Sequence, residues 1–90
     1  MAEFCLDCRE VTSRKGLCHS FARFLDVPKD YCGNLDAVFD CLGDIVTETI
    51  IRVSSASELK NSIGEDYAGR FFSMLGRAAS ENDLIVLIVE

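Results

Sequence analysis

Apolar and polar positions along this chain fall into two periods. Leu17, Phe21, Phe24 and Leu25 recur at i, i+4, i+7 and i+8, the stripe of an amphipathic helix. Thr12 or Ser13 stands before that stripe, placed to accept a hydrogen bond from a free backbone N–H. Pro28 closes it, because the residue before a proline avoids helical geometry. Residues 26–33 then read as a loop. Leu35, Val38, Phe39 and Leu42 repeat the helical spacing, with Asn34 as cap and Gly43 as stop. Ser55 and Glu58 have capping-box spacing, which predicts a short helix ending near Gly64. Ala68, Phe71, Phe72, Leu75, Ala78 and Ala79 mark a longer amphipathic helix.

Three segments have strand character. Residues 3–8 carry a weak apolar signal. Residues 49–53 are rich in β-branched side chains. Residues 84–89 are continuously apolar, the pattern of a strand buried on both faces. Strands separated by helical segments need crossover connections, and crossovers make parallel sheets. The expected fold is α/β, a three-stranded parallel sheet with about four packed helices. The 90 residues make one domain, residues 1–90. The longest apolar run is far shorter than the ~20 residues that cross a bilayer, so no membrane segment is expected. The first residues lack a basic region followed by an apolar stretch, so no secretory signal is expected either.

Charge narrows the partner. Fifteen acids against nine bases give a formal charge of −6. A nucleic acid demands a basic face, so the balance argues against one and suits a basic protein. The second predicted helix carries an acidic edge. Asp36 and Asp40 are four apart, hence on one face, and Asp44 follows a turn later. Like charges at that spacing destabilise a helix by about 0.2–0.5 kcal/mol per pair. The dipole favours Asp36 in the first turn and disfavours Asp44 at the other end. No Lys or Arg lies between Lys29 and Arg52. Local physics leaves this acidic edge unexplained, whereas a partner with clustered cations would explain it. A solvated acidic face is the plainer alternative.

Catalytic and metal chemistry find little support. His19 is the only histidine and has no visible nucleophile beside it. Cys5 and Cys8 have redox or zinc spacing, but they fall at a strand rather than at a helix start, where a dipole would lower a thiol pKa. Cys18 and His19, adjacent on a helix, are poorly placed to complete a zinc site. An odd number of cysteines and no leader suggest free thiols in a reducing, cytoplasmic setting. Cys18 and Cys41 flank apolar stripes and read as core; Cys32, in the loop, is expected exposed. Arg14 and Lys15 beside the first helix cap read as a solvated basic turn. Arg70 and Arg77, seven apart, share a helix face.

Pro28, Tyr31 and Gly33 lead into Asn34-Leu35-Asp36-Ala37, then Phe39, Asp40 and Leu42. This segment resembles the barstar family, intracellular inhibitors of small microbial ribonucleases, and the element order resembles that family over nearly the whole chain. The resemblance implies a bacterial, cytoplasmic inhibitor, monomeric when free, with no cofactor, no metal and no catalysis. It implies that the second helix and the preceding loop plug the active site of a secreted ribonuclease. Asp40 would occupy a phosphate position and accept charge-assisted hydrogen bonds. Asp36 would pair with a neighbouring cation, and Asn34 and Asp44 would belong to the same partner-binding surface. Tyr31 and Phe39 would supply aromatic contact, and Gly43 would admit the partner's backbone. Three positions depart from the family pattern. Cys32 stands where the family has its loop glycine, and Phe39 is smaller than the usual tryptophan. Arg77 stands where the best-known inhibitor has an acid, and against a basic enzyme it would repel. The alternatives are an immunity or regulatory module for another basic protein, and a small protein whose redox or metal chemistry rests on Cys5 and Cys8.

Overall fold

A computed structural model describes residues 1–90. The chain runs β1 (Ala2–Asp7), α1 (Arg14–Leu25), α2 (Leu35–Gly43), β2 (Thr49–Ser54), α3 (Leu59–Ile63), α4 (Glu65–Glu81) and β3 (Ile85–Val89). Single 3-10 turns occupy Cys8–Glu10, Lys29–Cys32 and Ala56–Glu58. The sheet order is β1-β2-β3, and both pairings are parallel. This is the expected three-stranded parallel sheet with four helices.

The helix starts follow from the side chains that precede them. Ser13 Oγ accepts from the Gly16 N–H at 2.9 Å, and Asn34 Oδ1 accepts from the Ala37 N–H at 2.8 Å. Each satisfies a donor with no partner inside its helix. Asp26 ends α1 in the left-handed region, φ 57°, donating its N–H to Ala22 and Arg23 carbonyls. The helix therefore stops before Pro28 acts on it. The predicted capping box at Ser55 does not form. A capping serine needs extended backbone, whereas the tight exit from β2 holds Ser55 at φ 54° with no side-chain cap bond. Glu58 instead accepts from the Asn61 side chain at 3.3 Å.

The pleat sorts the strands into two faces. Register places Leu6, Val53 and Val89 in one row, and Phe4, Ile51 and Leu87 in the next. Leu6, Ile51, Val53 and Ile85 are buried on this face beneath the helices. Phe21, with no exposed surface, is central: its ring meets Phe4 at 4.9 Å and Phe71 at 5.9 Å, both edge-to-face. The opposite face carries Glu3, Cys5, Ile50, Arg52, Val86 and Ile88, none of them buried. Arg52 spans it, reaching Glu3 and Glu90 at 3.3 Å each. Exposed pairs of this kind contribute little, about 0–1 kcal/mol. The expectation that β3 is buried on both faces is thus corrected. It is an edge strand on a half-open sheet, with Val86 53% exposed. Its β-branched residues suit a strand whether or not the outer face is covered.

Asn82 fastens α2 to this framework. Its side-chain N–H groups donate to the Leu42 and Ile45 carbonyls, 3.1 Å each, and its Oδ1 accepts from the Leu84 N–H at 3.0 Å. One amide therefore joins the end of α2 to the start of β3. Asn82→Ala is expected to cost about 2–3 kcal/mol, since each lost bond contributes about 1 kcal/mol and the Ile45 carbonyl and Leu84 N–H lose their side-chain partner. Urea unfolding measures this. A loss below about 0.5 kcal/mol would mean that water replaces the amide.

Candidate functional site

Helix α2 is bordered by a groove on each side, and the predicted contact residues divide between them. Asn34, Asp36, Phe39 and Asp40 line the first, a groove of about 780 Å³ whose other wall is α4. Tyr31 and Asp44 line the second, about 470 Å³, with Phe24, Val27 and Val46. Gly43 lines neither, and a side chain built on it would meet nothing within 4 Å. Burial of Val38 and Leu42 fixes this presentation. With those two turned into the core, Asp36 and Asp40 must face outward.

The carboxylates of Asp36, Asp40 and Asp44 have no ion-pair partner in the chain. The four ion pairs are Asp7 with Arg9, Glu3 and Glu90 with Arg52, and Glu81 with Arg77. Tyr31 is 61% exposed although the loop around it is anchored. Exposed carboxylates and an exposed aromatic ring thus lie in the grooves that border α2.

The α4 wall carries two arginines, with Glu65 and Asp66 beside them at its start. Arg70 and Arg77 line the same groove as Asp36 and Asp40. The Arg77 guanidinium lies 4.7 Å from the Phe39 ring centroid and 3.8 Å from the Glu81 carboxylate. It therefore steadies Phe39, a role that sequence reasoning missed. The spacing of Arg70 and Arg77 was a usable signal for a shared face. Nothing in the sequence showed that α2 lies across from it. Tyr67 carries Arg14 at 4.4 Å and Arg70 at 5.4 Å from its ring centroid.

The thiols contradict one expectation. Cys32 is fully buried rather than exposed, because the Lys29–Cys32 turn folds its side chain under the loop. Its sulfur lies 3.9 Å from that of Cys41. Burial, with the hydrogen bond to Cys41, pushes the Cys32 thiol up to about 11 from an ordinary 9.0. Burial, with a hydrogen bond to the Cys18 thiol, pushes Tyr67 up to about 12 from 10.0, despite the nearby arginines. Both groups hold their protons more tightly when folded. Their contribution is intact below pH 9 and is lost as pH rises through about 9–12, where the unfolded chain ionises first. Urea midpoints should fall steadily over that range, and Tyr67→Phe should flatten the upper part. An unchanged midpoint up to pH 11 would contradict this.

Cys5 is exposed and Cys8 buried, so they present no common surface. No group of three or more His, Cys, Asp or Glu side chains is placed to hold a metal ion. No helix is long and apolar enough to cross a membrane.

Compared with known families, residues 1–89 match a family model described as Barstar (barnase inhibitor). No curated protein matches the chain.

Proposed function

The chain belongs to the barstar family, whose members are inhibitors of ribonucleases and not enzymes, and from that premise we propose that it binds a secreted guanyl-type microbial ribonuclease one-to-one. Helix α2 and the loop before it cover the enzyme's active site. The observation that supports this reading is the pair Asp36 and Asp40, exposed four residues apart and unpaired within the chain. A ribonuclease active site gathers cations to hold RNA phosphates, and two preorganised carboxylates match that arrangement. Asp40, in the middle of the helix, takes the phosphate position. Asp36 and Asp44 meet flanking cations. Tyr31, Asn34 and Phe39 complete the contact, and Gly43 leaves room for the partner's backbone. The protein acts in the cytoplasm, as a monomer when free, before the enzyme is exported.

Arg70 and Arg77 on the facing wall favour a second reading, an immunity or regulatory module for a different basic protein that also carries acids. Both readings meet one test. Increasing amounts of the protein are added to purified guanyl-type ribonucleases, barnase among them, acting on RNA at low and moderate salt. Inhibition that is complete at one equivalent and weakens with salt supports the first reading. Absence of inhibition at micromolar protein removes it and leaves the second.

A further inference from the structure

We propose that Cys32 and Cys41 form a modification site, a thiol pair that a low-molecular-weight disulfide converts into an intramolecular Cys32–Cys41 bond. All five cysteines are free thiols. No other two are in hydrogen-bond contact, whereas these sulfurs are 3.9 Å apart. Cys18 engages the Tyr67 hydroxyl at 3.7 Å. Cys5 is exposed on the open face of the sheet, and Cys8 is sealed in the core. Access is also provided. Cys41 is only partly buried and lines the groove it shares with Tyr31, Val27 and Ile45. A small disulfide can reach it there, while Cys32 waits behind.

The chemistry balances in two exchanges. Cys41 gives up its proton, its sulfur attacks the small disulfide, and the displaced sulfur takes up that proton and leaves as a thiol, with a mixed disulfide left on Cys41. The Cys32 sulfur then attacks the Cys41 sulfur and displaces the second thiol, which takes up the Cys32 proton. In sum, two protein thiols are oxidised to one disulfide, and the small disulfide is reduced to two thiols. A disulfide bond is about 2.0 Å long, so the sulfurs must approach by roughly 1.9 Å. The Lys29–Cys32 turn and α2 share that movement. The ring so closed contains Asn34, Asp36, Phe39 and Asp40. Charge-assisted hydrogen bonds depend on placement to a few tenths of an ångström. Closure therefore weakens the contact surface. This last consequence rests on the proposed inhibitory function; formation of the bond does not.

The test uses the full chain with Cys5→Ser, which removes the exposed thiol on the far face. The protein is incubated with oxidised glutathione, the remaining thiols are alkylated, and the peptides are mapped by mass spectrometry. The expected product has lost two hydrogens and yields a Cys32–Cys41 cross-linked peptide that dithiothreitol reverses. Cys32→Ala should stop at glutathione held on Cys41. Cys41→Ser should give no product, and circular dichroism confirms that both variants fold. A glutathione adduct that persists on Cys41 in the presence of Cys32, a bond between other cysteines, or no reaction overturns the site. Where the reduced protein inhibits a ribonuclease, the oxidised form should inhibit at least tenfold more weakly, and unchanged inhibition overturns that consequence. If the reduced protein inhibits none, the inhibitory function falls, and the mass map still decides the site.

Discussion

Replacing Asp40 by alanine is expected to weaken inhibition of a guanyl-type ribonuclease roughly a thousandfold, about 4 kcal/mol, and to leave the protein folded. The two halves of this result have separate causes. In a complex, Asp40 would be sealed from water among the enzyme's cations. Removing it strands those cations without a counter-charge, and the loss of one partner in a buried pair costs about 3–5 kcal/mol. In the free protein Asp40 is exposed and makes no ion pair. There its removal relieves repulsion from Asp36, worth about 0.2–0.5 kcal/mol, and improves helix propensity. The variant should therefore be slightly more stable and far less active. A loss under threefold in inhibition, or a loss of stability above about 1 kcal/mol, would contradict the role given to Asp40.

Phe21→Ala should have the largest effect on folding. Its ring has no exposed surface and joins β1, α1 and α4 through Phe4 and Phe71. Removing a buried phenylalanine side chain costs about 3–5 kcal/mol, through lost transfer energy and the cavity that remains. A domain of this length is stable by roughly 4–13 kcal/mol, so the change removes a large fraction. Thermal or urea unfolding monitored by circular dichroism measures it, and Phe21→Leu should lose markedly less. A cost below about 1.5 kcal/mol would mean that neighbouring rings collapse into the space.

What was legible in the sequence was whatever local chemistry decides. Ser13 and Asn34 cap the helices predicted for them, because a short side-chain acceptor before an apolar stripe acts within three residues. The three strands and their parallel arrangement followed from the alternation of periods. Ser55 misled because its spacing to Glu58 says nothing about the sharp turn out of β2. The β3 run misled because apolar character does not record whether a second layer exists. Cys32 misled because a loop residue can turn inward when a 3-10 turn carries it. For the site, the exposed edge of Asp36 and Asp40 was legible from helical periodicity. The arginines across from it, Arg70 and Arg77, were not. Arg77 meets Phe39 only because α2 packs on α4, a tertiary choice made by buried side chains on both helices.

The sheet described above contains no hairpin. Ala2 pairs with Thr49 and Thr49 with Ile85, so every ladder joins residues 36 or 47 positions apart. Each ladder must therefore close a long loop before any of its bonds repays the lost chain entropy. Such pairings slow folding relative to helical bundles, and mixed α/β domains fall between those and all-β folds. Helix α2 is linked to the last of these ladders, because the amide that holds its end belongs to Asn82, three residues before β3 begins. The end of the acidic helix and the start of the third strand are thus tied through one side chain. A variant that loosens the start of β3 should therefore also loosen the end of α2, read as faster amide exchange in both segments.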